Sequence, residues 1–555
     1  MGSALIDSGN SAGGPLLAGG AAGAHEVREL VAVALDAVAE AAASRTGPVP
    51  AGGPPAVAAA LAAALGAPNT GSGSGEGPDA NGTGGPGTYG AGGSGGGAGA
   101  GGVDGSGGGP GTYGADGSGG GADTYGVDGS GGGAGAGGVG GSGAGGGGLA
   151  RGASGILPEH GVGPAAALGE LTRLLTAGSV DPAHPWCAAH LHGPPLAVSA
   201  AADLVASMLN PSLDSWDQAP MASELERELT AALARLCFPD GTPDAVITSG
   251  GTESNLLGIL LAREAGARNV VCGPTAHHSV ARAAWLLGLP TPTVVDLDRP
   301  DRISLPDRAI VACTAGTTDT GAIDPLPGLA ALADRAGAWL HVDASYGGAT
   351  LFSDRLAPLL DGLTRADSVA VDLHKFGWQP IAAGVLATRE PITALDVRAD
   401  YLNPDDDMAA GLPDLLGRSL RTSRRPDAFK IAVTLRALGR TGVAALVERC
   451  CRMARDLAAE VRRHDGLRLW AEPTLSTVLL RPSVADDHPD GDELVAEVRR
   501  RLLNAGTAVL GRATIDGRVW LKLTLLNPEA DLAGYVDLLD LVITHAAELA
   551  GVPLP

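Results

Sequence analysis

A few positions in this chain of 555 residues carry side chains better suited to chemistry than to packing. Lys375 ends the segment SVAVDLHK, close behind Asp372 and His374. The chain has only three lysines, Lys375, Lys430 and Lys522, among its 38 Lys and Arg residues. Arginine keeps its proton and cannot replace lysine in imine chemistry. A lysine withdrawn from water at a strand end becomes nucleophilic toward carbonyls; the plainer reading of the same residues is a buried Lys–Asp pair. Asp343 closes a second apolar run, AWLHVD. A carboxylate there is costly unless a cation or strong donor meets it, either an arginine or the protonated nitrogen of a bound ring. Two further segments, Ser249-Gly250-Gly251-Thr252-Glu253-Ser254-Asn255 and Thr275-Ala276-His277-His278-Ser279, each follow an apolar run and open a helical pattern. Gly251 and Thr252 suit close approach of backbone and hydroxyl to an anion at a helix N-terminus, and equally suit an ordinary capped turn. Thr318, in AGTTDTG, suits a crowded ligand floor or a plain loop.

These residues need elements to hold them. From residue 155 onward, short β-branched runs alternate with helical patterns: DAVITSGG, NVVCGP, TPTVVDLD, RAIVACTAG, AWLHVDAS and DSVAVDLHK, separated by stretches such as ESNLLGILLAREAG and HHSVARAAWLLGL. Such alternation predicts an α/β fold with a mostly parallel sheet and helices on both faces. In open sheets of that kind ligands sit outside the carboxyl ends of the strands, where all of the segments above fall. A strand-end lysine, a buried acid, a histidine able to stack on a ring and a phosphate loop are together the parts that pyridoxal 5′-phosphate (PLP) needs.

The remainder of the chain divides by composition. Residues 1–67 read as an N-terminal helical segment, Ala-rich with a roughly 3.6-residue period over 24–66. Residues 68–150 are Gly-rich, with Ser94, Ser106, Ser118, Ser130 and Ser142 spaced 12 apart. These repeats carry almost no large apolar side chains, so stacking them would bury nothing, and the segment reads as a disordered linker. Residues 151–385 read as an N-terminal arm and large domain, and 386–555 as a smaller C-terminal α+β domain with two helices, strands near 475–481 and 518–525, and a last helix at 529–549. The net charge of −23 disfavours nucleic acid and anionic membranes as partners. No secretory leader and no apolar run long enough for a membrane span are visible. Six scattered cysteines without a CxxC pair suit reduced thiols in the cytoplasm.

The set SGGTESN, AHHSV, AGTTDTG, HVDASYGG and DLHK, in this order, resembles the group II PLP-dependent amino-acid decarboxylases, over about residues 155–555 with weaker similarity at 24–66. The resemblance implies the fold-type I PLP-dependent transferase fold, a homodimer, and a small-molecule amino-acid substrate. It implies Lys375 as the lysine that carries PLP, Asp343 as the partner of the pyridine nitrogen and His277 as the residue that stacks on the ring and helps position substrate. By the same resemblance Gly251 and Thr252 belong to the phosphate loop, and Thr318, Asp372 and His374 line the cofactor. Ser345 stands under the ring where many members have alanine. The stretch from Leu402 to Arg424 matches a catalytic loop in which several relatives use a tyrosine as proton donor; here it holds none, which leaves transamination or aldehyde formation open beside decarboxylation. HPWCAAHLHGPP, NPSLDSWDQAP, YLNPDDD and RSLRTSRRPDAFK look closest to the branch acting on 2,4-diaminobutyrate or lysine, with aromatic and acidic amino acids as alternatives. Asp405, Asp406 and Asp407 are candidates to meet a cationic side chain, or form a solvated loop.

Overall fold

The computed structural model describes residues 20–64, 155–396, 406, 409–412 and 414–554. The Gly-rich repeats, Asp405 and Asp407 lie outside these residues, so the readings placed on them stay with the sequence.

Two helices, α1 (Gly20–Ala43) and α2 (Gly53–Ala64), precede the Gly-rich segment; α3 (Pro164–Gly178), α4 (Ala197–Leu209) and α5 (Pro220–Cys237) follow it. The large sheet then begins. Its strands are β1 (Asp244–Thr248), β2 (Asn269–Cys272), β3 (Thr293–Val294), β4 (Ala309–Thr314), β5 (Trp339–Asp343), β6 (Ser368–Asp372) and β7 (Gly384–Thr388), in the order β1-β7-β6-β5-β4-β2-β3. Helices α6 (Gly251–Glu264), α7 (His278–Leu286) and α8 (Leu326–Ala336) connect them. Every residue of β4 and β6 is buried, as expected of strands covered on both faces. β3, β2, β4, β5 and β6 run parallel to one another, and β7 runs antiparallel to both β1 and β6. The sheet is therefore mostly parallel.

Three details differ from the sequence reading. The run 291–298 forms a strand only at Thr293–Val294, and both residues are exposed. β7 spans the 385/386 position and pairs in the large sheet: it returns antiparallel without an intervening helix, so no alternation marks it. The C-terminal sheet has four strands, β8 (Leu467–Leu469), β9 (Thr477–Pro482), β10 (Gly511–Ile515) and β11 (Arg518–Thr524), in the order β10-β11-β9-β8 and antiparallel throughout. β8 is too short to read from sequence, and β10, Gly-Arg-Ala-Thr-Ile, carries only one large apolar side chain.

Helix α9 (Ala428–Arg463) bends at Gly439, whose φ of 66° and ψ of 172° are not helical, so it comprises the two helices that the sequence suggests. The C-terminal helices α10 (Val484–Asp487), α11 (Gly491–Asn504) and α12 (Leu532–Ala550) complete the chain. Specific bonds tie the C-terminal part to the large sheet. Tyr346 Oη lies 2.9 Å from both Ser476 Oγ and Thr477 Oγ1, and Trp378 Nε1 donates to Leu526 O at 2.7 Å.

Candidate active site

The carboxyl ends of β1, β4, β5 and β6 open on one cavity of about 480 Å³. All nine residues singled out above line it: Gly251, Thr252, His277, Thr318, Asp343, Ser345, Asp372, His374 and Lys375.

Lys375 stands three residues past β6. Its Nζ lies 2.9 Å from Asp372 Oδ2, and His374 Nε2 lies 3.6 Å from the same oxygen. The Lys–Asp pair is therefore real, and it forms part of the cavity wall. The other two lysines have separate employment. Lys430 is buried against Asp203 (2.9 Å) and Asp427 (3.5 Å). Lys522 donates to Asp319 Oδ1 at 3.0 Å and to Thr318 O at 3.2 Å, bracing the loop on which Thr318 sits. Only Lys375 of the three lines the cavity. Burial pushes the His374 imidazole down, and Asp372 opposes that only in part.

Asp343 ends β5 with 6% of its surface exposed. Among the described residues no arginine is a hydrogen-bond partner of Asp343: it accepts from Asn255 Nδ2 at 2.7 Å and from the Ser345 amide at 3.1 Å. Burial alone would raise its carboxyl. Hydrogen bonding from Ser345, the Lys375 ammonium and the Asn255 amide outweigh burial and hold it below the ordinary carboxylate value, so it is ionised at neutral pH.

His277 is the N-cap of α7, its side chain accepting from the Ser279 amide. Its Nδ1 also lies 2.8 Å from Ser279 Oγ, and its ring centroid lies 4.1 Å from that of His278. Burial, then the neighbouring His278, push its pKa below the ordinary histidine value. α6 begins at Gly251 without a side-chain cap, so its first-turn amides are free for an anion. A Cβ at Gly251 would overlap Ser345 Oγ; glycine is required for so close an approach.

A profile of the pyridoxal-dependent decarboxylase conserved domain matches residues 158–482. The chain belongs to the pyridoxal-dependent decarboxylase family. The L-2,4-diaminobutyrate decarboxylase of Rhizobium meliloti is 40% identical over 419 residues, which cover 71% of this chain and 84% of that protein. The enzyme of the same name from Acinetobacter baumannii is 31% identical over 437 residues, covering 70% and 86%. Among solved structures, the glutamate decarboxylase domain of diaminobutyrate-pyruvate transaminase and L-2,4-diaminobutyrate decarboxylase from Vibrio parahaemolyticus superposes with a TM-score of 0.70 over 96% of this chain and 98% of that one. At 24% identity that likeness shows the fold.

The chemistry of the decarboxylase is thus PLP-dependent removal of an amino-acid carboxylate. The cavity fits the cofactor on its own evidence. Asp372 Oδ1 and His374 Nδ1 are buried with no hydrogen-bond partner among the described residues, as polar atoms awaiting a ligand would be. The cavity also offers a lysine, an ionised acid and an uncapped helix N-terminus.

Sequence reasoning gave no role to Asn255, Ser279 or His341. Asn255 donates to both Asp343 and Ser279 and accepts from His341, all four being buried. The available signal was periodicity. His341 and Asp343 are the polar pair at i and i+2 of β5, and so share one face of a strand.

Proposed function

We propose that this decarboxylase converts a small diamino acid, first of all L-2,4-diaminobutyrate, to the corresponding diamine and CO₂. The reading is carried by the convergence of Lys375, Asp343, His277 and the Gly251–Thr252 helix start on one cavity. The two diaminobutyrate decarboxylases, at 40% and 31% identity, support the substrate class.

In this reading Lys375 would carry the covalent link to PLP; Asp372 holds its amine at the wall, and His374 flanks Asp372. Gly251, Thr252 and the first-turn amides of α6 would hold the phosphate. Asp343, ionised and fixed by Asn255 and Ser345, would meet the ring nitrogen and favour its protonated form. Ser345 and Thr318 line the cofactor's surroundings. PLP, when bound, supplies the sink for the electron pair left on the α-carbon as CO₂ departs. His277 presents Nε2–H to the cavity, because its Nδ1 accepts from the Ser279 amide; that proton is placed to orient the substrate carboxylate.

We further infer a homodimer in a reducing, cytoplasmic setting. Helices α1 to α4 expose Leu35, Leu61, Leu171, Leu175 and Leu209, a set that a second subunit would cover. All six cysteines are free, and among the described residues no helix is long and apolar enough to cross a membrane.

The test is product analysis of the PLP-loaded protein offered 2,4-diaminobutyrate, lysine, ornithine, glutamate, aspartate, tyrosine and tryptophan in parallel. The expected outcome is CO₂ and 1,3-diaminopropane from 2,4-diaminobutyrate, with kcat/KM at least tenfold above every other substrate. A preference for an aromatic or acidic substrate overturns the substrate class, and aldehyde or keto acid in place of amine overturns the reaction.

A further inference from the structure

Behind the cavity, on the α6 face of the large sheet, runs a hydrogen-bonded chain of buried side chains. Trp339 Nε1 donates to Ser368 Oγ at 3.0 Å, and Ser368 Oγ lies 2.8 Å from His341 Nδ1. His341 Nε2 lies 2.9 Å from Asn255 Oδ1. Asn255 Nδ2 reaches Asp343 Oδ2 at 2.7 Å and Ser279 Oγ at 2.8 Å, and Ser279 Oγ lies 2.8 Å from His277 Nδ1. His341, Asn255 and Ser368 are fully buried, and none of the three lines the cavity.

The ends of this chain fix the direction of every bond in it. An ionised carboxylate only accepts, so Asn255 must turn its amide nitrogen toward Asp343. Its carbonyl oxygen then faces His341, which must carry its proton on Nε2. A neutral imidazole has one N–H, so His341 Nδ1 accepts from the Ser368 hydroxyl, and Ser368 in turn accepts from the donor-only indole of Trp339. The second Asn255 N–H goes to Ser279, whose hydroxyl proton is then directed to His277 Nδ1. The His341 Nε2–H thereby anchors the Asn255 amide, which donates in turn to the Asp343 carboxylate and to Ser279.

The local sequence makes room for this. Asn255 and Gly258 stand three apart on α6 and so share a face. A Cβ at Gly258 would overlap the His341 ring, so only glycine there admits an imidazole between helix and strand.

We propose that His341 is a positioning residue. Acting through the Asn255 amide and touching neither cofactor nor substrate, it orients Asp343 toward the place of the PLP ring nitrogen. This rests on the reading of the cavity as a PLP site.

The experiment measures PLP affinity of the full-length apo-protein by absorbance titration, with the visible band of the bound cofactor recorded from pH 6 to 9, for wild type, His341→Phe, His341→Gln and Asn255→Ala. A hydrogen bond to a charged group is worth enough that its loss weakens PLP binding about 10–100-fold. That weakening is expected in His341→Phe and Asn255→Ala, together with a shifted pH dependence of the band. The side-chain amide of His341→Gln can donate to Asn255 and accept from Ser368, so this variant should stay within about threefold of wild type. If His341→Phe fails to fold, Asn255→Ala carries the same expectation. Wild-type affinity and spectrum in a folded His341→Phe or Asn255→Ala protein overturn the proposal, as does a His341→Gln variant as impaired as His341→Phe, which would mean packing alone. A wild-type protein that binds no PLP overturns instead the reading of the site on which the proposal stands.

Discussion

At the scale of the residue, the site depends on charges held in fixed protonation states. Asp343→Asn keeps the shape of the side chain and removes the charge that favours a protonated ring nitrogen. Loss of one such preorganised group costs about 10²–10³ in kcat, and the expected result is a decline of that size with PLP still bound, measured by CO₂ release and cofactor absorbance together. His341 gives a pH dependence of stability. Burial pushes its pKa down to about 4, below the 6.5 of the unfolded chain. The unfolded state therefore binds a proton that the folded state refuses, and stability is full above pH 6.5 and falls as pH drops toward 4. The loss amounts to on the order of 3 kcal/mol by linkage. Chemical denaturation at pH 7.5 and 4.5 should show His341→Gln losing less stability than wild type across that interval; equal losses contradict it. Lys375, Asp343 and His277 were legible because each is a polar residue with no packing reason to end an apolar run. Asn255 and His341 were not, because a helical asparagine and a strand histidine also occur as ordinary structural residues, and only coordinates reveal that they bond to each other.

At the scale of the element, two devices hold the site's supports in place. Gly439 bends α9 with a left-handed backbone conformation, and a Cβ added there would meet no atom within 4 Å. The penalty of Gly439→Ala is thus conformational, about 1–3 kcal/mol for a residue forced into that region, and should appear as a lowered melting temperature with kcat preserved. Arg424, just before α9, pairs with Glu226 of α5 at 2.7 Å, the two side chains 2% and 3% exposed. Breaking a buried pair by removing one partner costs about 3–5 kcal/mol. Arg424→Met should therefore destabilise by that amount, and a change below about 1 kcal/mol contradicts the pairing. The parallel strands could be read from their β-branched runs because each is flanked by a helix of contrasting period. β7 could not, since its order beside β1 and β6 is set by tertiary pairing, and β8 offers only three residues of pattern.

At the scale of the whole molecule, the described residues of 20–64 and 158–554 belong to one compact unit, and the cavity draws on that unit alone. Removal of residues 68–150 should leave CO₂ release within about twofold of wild type, since repeats poor in apolar side chains add nothing to a core; a deletion that fails to fold contradicts this. The acidic surface and the family's fold were both visible in composition and motif order, whereas the pairing of C-terminal strands with the cavity loops, such as Lys522 with Asp319, depends on contacts more than 200 residues apart. Because the chain has only three lysines, one measurement addresses the site directly: borohydride reduction of the PLP-loaded protein, followed by mass-spectrometric mapping of the lysine that retains the cofactor. The expected result is phosphopyridoxyl on Lys375 and on neither Lys430 nor Lys522. Modification of either of the other two, or none at all in a protein that releases CO₂, contradicts the placement of the chemistry in this cavity.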